Sequence, residues 1–145
     1  MSDAVNHPSH YQGSAGVECI EIAEHLGFNL GNAFKYAWRG GVKTEDALED
    51  WQKSRWYLHR ERQRRAAGCA HDTSLPPRAA GAMLRVLEVD GDTARTRLLK
   101  AICAAAAGDS LDLCDMIVAH TIEALTNASA VPPQSSNPEQ CSAHN

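Results

Sequence analysis

No aromatic residue follows Tyr57 in this chain of 145 residues; Tyr11, Phe28, Phe34, Tyr36, Trp38, Trp51 and Trp56 all precede it. The second half must therefore pack through aliphatic side chains alone, which marks a compositional boundary. The opening MSDAVNHPSHYQ lacks the basic start and apolar run of a secretory leader, and no stretch approaches the roughly 18 apolar residues of a membrane span. These absences predict a soluble protein of the cytoplasm with no membrane partner. The five cysteines, Cys19, Cys69, Cys103, Cys114 and Cys141, are odd in number and scattered, as reduced thiols are and disulfide frameworks are not. Cys69 and His71 form a lone C-x-H pair, short of the four ligands that structural zinc needs.

A surplus of positive charge is missing too. The net charge is −4 and the isoelectric point about 5.9, which excludes the basic footprint of a duplex nucleic-acid binder. Residues 1–66 hold nine Lys/Arg and nine Asp/Glu, whereas 67–145 hold five and nine. A local site for a small anion is therefore expected in the first part.

Strand-like alternation of useful length is absent, and helical spacing recurs, so the fold class is all-α, a small bundle of about six helices. The first helix is expected over about Val17 to Leu26, with Val17, Ile20, Ala23 and Leu26 inward and Gly27 as its stop. The second runs from about Leu30 to Arg39 and ends at Gly40-Gly41. The third starts with Thr44 as N-cap, continues to about Arg65, and turns Ala47, Leu48, Trp51 and Leu58 inward. Residues 67–78, rich in Gly, Ser, Thr and Pro, read as a linker. Three helices follow over 79–127, the middle one capped by Asp92 or Thr93. The last carries a wide apolar stripe of Leu111, Cys114, Ile117, Val118, Ile122 and Leu125. That stripe packs on the N-terminal unit or on a second subunit, or the segment is a plain helical hairpin filling out the core. With Leu98, Leu99 and Ile102 the stripe predicts a homo-oligomer. Residues 128–145 are too poor in apolar side chains to repay ordering and read as a disordered tail, as the N-terminus does.

Chemistry is concentrated on the second helix. At 100° per residue, Asn32, Lys35, Tyr36 and Arg39 share one face, and Leu30, Phe34, Ala37 and Trp38 lie opposite. The polar face contains no acidic residue, and two cations without a local counter-charge attract phosphate. The competing reading pairs Lys35 and Arg39 with carboxylates of a neighbouring helix. The turn RGGVKT adds Lys43 and the amides at the start of the third helix. It is not a P-loop, because the G-x-x-x-x-G-K-[ST] spacing fails and a helix, not a strand, precedes it. Asp46, Asp50, Lys53 and Tyr57 form a second stripe, in which Asp50 could hold Mg²⁺ or orient Lys53; ordinary surface pairing is the alternative. In the opening segment, Ser9, His10 and Tyr11 offer a hydroxyl, a proton shuttle and a phenol, or an incidental cluster.

The ordered motifs VNHPSHY, VECIEIAEHLG, GNAFKYAWRGGVK and EDWQKSRWYL resemble the SaV-like family of bacteriophage proteins over about residues 5–60. One branch of that family is a nucleotide kinase that phosphorylates deoxynucleoside monophosphates without a P-loop. The resemblance implies a nucleotide or other phosphorylated partner, and it carries over onto Ser9, His10, Tyr11, Asn32, Lys35, Tyr36, Arg39, Asp50, Lys53 and Tyr57. As a kinase, the chain would use His10, Asp50 and Lys53 in catalysis, Asp50 on Mg²⁺, and Lys35, Arg39 and Lys43 on phosphates. As a counter-defence protein, it would sequester a host nucleotide signal or block a host defence enzyme without turnover. This chain lacks the Cys-rich extension of the kinase branch and adds a helical C-terminal half.

Overall fold

The computed structural model describes Val5 and residues 15–40, 46–69 and 74–130. These form six helices, α1 (Ile20–Ala23), α2 (Phe28–Arg39), α3 (Ala47–Ala66), α4 (Pro77–Asp90), α5 (Ala94–Ala106) and α6 (Asp112–Ala130), with no β-strand among the described residues. The all-α bundle follows from the apolar spacing.

An antiparallel hairpin of α2 and α3 is the centre of the fold, with α6 against α3, α5 across α2 and α6, and α4 beside α1 and α5. On α2 the expected apolar face, Leu30, Phe34, Ala37 and Trp38, is buried as a unit, and Ala33 joins it in the core. The hairpin register is fixed by long-range bonds. Asn29 Nδ2 donates to Glu61 (3.3 Å), Ser54 Oγ to Ala33 O (2.9 Å) and Trp51 Nε1 to Gly40 O (3.2 Å). A Cβ on Gly40 would lie 2.8 Å from Trp51 Nε1, so the indole and the end of α2 meet at a distance only glycine permits.

The C-terminal helices close over their own N-terminal unit. Leu98, Leu99 and Ile102 are fully buried in the same core as Phe34 and Trp38, so they offer nothing to a second subunit, and the expected oligomer contact shrinks to exposed residues of α6 such as Leu113 and Met116. Arg95, itself buried, joins three elements: Nε donates to Trp38 O (2.8 Å), Nη1 to Asp90 (2.7 Å), and the guanidinium lies 4.8 Å from the Trp38 ring centre. Arg65 donates to Ala105 O (2.7 Å), in the last turn of α5, and to Asp109 O (3.0 Å) in the connection that follows. Arg62 pairs with Asp112 and Asp115 at the start of α6.

Several boundaries differ from the expectation. Regular α1 is a single turn, and Ile22 is buried where Ile20 was expected, leaving Ile20 exposed. One turn flanked by bends does not carry a 3.6-residue period to Val17 and Leu26, although both of these are buried. Gly27 is the extended N-cap of α2 instead of a stop. Inside the expected linker, α4 begins at Pro77, where a missing N–H costs nothing. Thr93 is the α5 cap, in a reciprocal box with Thr96. Three residues beyond the expected end, α6 continues to Ala130; residues 131–145 lie outside the described residues, as does Thr44.

Cys19 and Cys114 are buried, Cys103 is half-buried and Cys69 is exposed. Burial pushes the thiols of Cys19, Cys103 and Cys114 up to about 12.

Candidate ligand-binding face

Two helices with different apolar arcs build one mixed face. Because α2 spends its apolar arc on the core, Asn32, Lys35, Tyr36 and Arg39 are left half-buried at its border with α3. Lys35 and Lys53, from different helices, converge on one ring: their Nζ atoms lie 4.7 and 5.5 Å from the centre of Tyr36. The Tyr36 ring is nearly parallel to that of Tyr57, 6.0 Å between centres and 13° between planes. Tyr57 in turn meets Trp56 edge-on at 4.9 Å and Phe28 at 6.1 Å. The expected Lys35, Tyr36, Lys53 and Tyr57 are thus brought together.

Arg39 and Asp50 are brought together in a different sense. Asp50 is only 2% exposed, and its Oδ2 faces Arg39 Nε at 3.7 Å. For Arg39 the carboxylate missing from α2 is supplied by α3, one half of the competing reading of the stripe, which paired Lys35 as well. Burial raises the Asp50 carboxyl above its usual range, with Arg39 and then Lys53 acting in the opposite direction. Glu49 forms an ion pair with Lys53, which lowers the carboxyl and raises the ammonium. Asn32 donates to Phe28 O of its own helix (2.8 Å).

Asp50 does not suit Mg²⁺. An Mg²⁺ ion keeps most of its waters and needs an accessible carboxylate, whereas this one is enclosed and turned to a guanidinium. The described residues contain no group of three His, Cys, Asp or Glu side chains placed to hold a metal ion. The first turn of α3 carries Glu49 and Asp50 after Asp46, which makes no side-chain cap to its amides; the turn before it, where the anion site was expected, lies outside the described residues. Ser9, His10, Tyr11 and Lys43 lie outside the described residues.

Sequence reasoning passed over the outer edge of this face. Phe28 and Trp56 are 77% and 60% exposed, and with Asn29, Arg60, Gln63 and Arg64 they line a groove of about 560 Å³. A signal was present: Trp56 lies five residues after Trp51, about 140° around the helix, and cannot share its buried side. Beneath the groove, Glu61 is 3% exposed and accepts hydrogen bonds from Asn29, Arg64 (2.9 and 3.0 Å) and Arg65 (3.2 Å).

Residues 5–59 of the chain match a family described as a protein of unknown function, DUF3310. That segment holds the α2–α3 hairpin up to Tyr57, the hub of the face, and stops short of Arg60 and Glu61. No curated protein and no solved structure matches the chain. No helix among the described residues is long and apolar enough to cross a membrane.

Proposed function

We propose that this chain is a phage nucleotide-binding protein that acts in the host cytoplasm, using the Tyr36–Tyr57 pair for the base and Lys35 and Lys53 for phosphate. The observation that carries it is the convergence of two ammonium groups from separate helices on a ring stacked against a second ring. Aromatic faces accept any base, and a lysine pair supplies phosphate with mobile donors. Binding without turnover is favoured over the kinase reading, because Asp50, the residue that would hold Mg²⁺, is enclosed against Arg39. Sequestration of a host nucleotide signal fits such a binder.

Lys35→Ala is expected to weaken nucleotide binding by roughly 10- to 100-fold, the loss of one charge-assisted bond of about 1.5–3 kcal/mol. Its melting temperature should stay within a degree or two of the parent, because Lys35 is not in the core. Calorimetric titration of mono-, tri- and cyclic nucleotides checks this. Equal affinity in parent and variant reduces the lysine pair to a solvated surface. Consumption of a deoxynucleoside monophosphate with ATP and Mg²⁺ would restore the kinase reading.

A further inference from the structure

Building on the nucleotide reading, we infer that the preferred ligand of this face is a single-stranded oligonucleotide of at least two nucleotides. The tyrosine-lysine site occupies only one end of the aromatic row. Past Tyr57 the row continues into exposed Trp56 and Phe28, and the groove there is lined by two arginines, Arg60 and the Glu61-paired Arg64. Arg60 is exposed, and its one hydrogen bond among those seen goes to the neutral Gln63 amide (3.2 Å), so its charge is available. Arg64 is held in place by Glu61 at 2.9 Å, which fixes the guanidinium at the groove wall.

Spacing decides against a mononucleotide as the full ligand. Lys53 and Arg60 lie seven residues apart on α3, roughly 10 Å along the axis at 1.5 Å per residue, with Trp56 and Tyr57 between them. A single phosphate reaches one cationic end only. A chain with two phosphates and two bases can meet both ends and stack on both aromatic parts, the alternation of cation and ring that single-strand binders use. Phe28 and Trp56 stand exposed at the outer end of the row, and a duplex, whose bases are already stacked inside, could not use them. The acidic overall charge confines the attraction to this strip.

The test is fluorescence anisotropy with end-labelled thymidine and uridine oligomers of two, four and eight nucleotides, with unlabelled dTMP as competitor. Affinity is expected to rise at least tenfold from dTMP to the four-nucleotide oligomer, with a steeper salt dependence for the longer ligand. The thymidine and uridine arms show whether DNA or RNA is taken. Trp56→Ala, at an exposed position, should lower oligomer affinity about tenfold and leave dTMP affinity unchanged; Arg60→Ala should do the same and flatten the salt slope. If dTMP binds as tightly as every oligomer, the inference falls and the mononucleotide reading stands. If dTMP binds and no oligomer does, the inference falls and the outer groove is left to a protein partner. Absence of binding by dTMP and oligomers alike overturns the nucleotide reading and the inference with it.

Discussion

Glu61→Ala is expected to lower the melting temperature by roughly 10 °C, the largest loss from any single polar side chain in the hairpin. The carboxylate sits 3% exposed at the junction of α2 and α3 and accepts four hydrogen bonds from three side chains. Burial raises its pKa, but the bonds from Arg64, Asn29 and Arg65 outweigh that and hold it below the usual carboxylate range. Removing it strands the nearly buried Asn29 amide and loosens Arg65, which also serves the end of α5. Arg64 and Arg65 retain some contact with water, so the cost should be about 3 kcal/mol, the lower end for one half of a buried pair. At several degrees per kcal/mol for a domain of this size, that gives the shift stated. Because the folded pKa is depressed, the stabilisation is full above the ordinary glutamate value and is lost as pH falls through the folded value. The difference between parent and variant should accordingly shrink in acid. A melting temperature within two degrees of the parent at pH 7 would show that the network is replaced by water without cost.

Arg39→Ala should cost about 2–3 kcal/mol at pH 8, and the deficit should shrink in acid as that of Glu61→Ala does, but from a different cause, the relief of a buried charge by a proton. The variant leaves the Asp50 carboxylate enclosed without the guanidinium that faces it. Burial already raises Asp50, and Arg39 is the chief opposing charge. Without Arg39 the folded pKa rises further. A group whose folded pKa exceeds its unfolded value destabilises the fold where it is ionised, and the penalty disappears as it takes a proton. The deficit should therefore be greatest near pH 8 and narrow on descending to about pH 5. Asp50→Asn in the same background should recover most of the loss at pH 8, since an amide carries no charge to bury. Thermal melts of the parent and both variants across this range check it; a deficit independent of pH would mean that Asp50 ionisation does not carry the loss.

These two residues also show where sequence reasoning stopped. The face of α2 was legible because its apolar residues are all apolar by type, so spacing alone separated the core from Asn32, Lys35, Tyr36 and Arg39. The inward side of α3 was legible only at Trp51 and Leu58. The same side carries Asp50 just before Trp51, Ser54 between the two and Glu61 after Leu58; these polar types read as surface, and Ala47 and Leu48 were placed inward in their stead. What admits them is a partner 11 to 32 residues away: Arg39, Ala33 O and Asn29. Such pairing is set by the hairpin register and has no local signature. The exposed aromatic pair escaped for the converse reason: Phe28 and Trp56 are core types by composition, and only their angular position separates them from Phe34 and Trp51.

The raised thiols of Cys19, Cys103 and Cys114 make the molecule its own recorder of opening. A thiolate reacts and a buried thiol does not, so among the four described cysteines an alkylating reagent meets Cys69 at once and Cys19, Cys103 and Cys114 only when their surroundings part. Cys19 lies beside α1, whereas Cys103 and Cys114 face the seam of α5 and α6. Labelling rates at the two places would therefore time separate events: fraying of a one-turn helix in the first case, parting of a long helix pair in the second. If α1 opens alone, Cys19 should be modified well before the other two. Equal rates at all three would mean that the shortest helix is held as long as the whole bundle is.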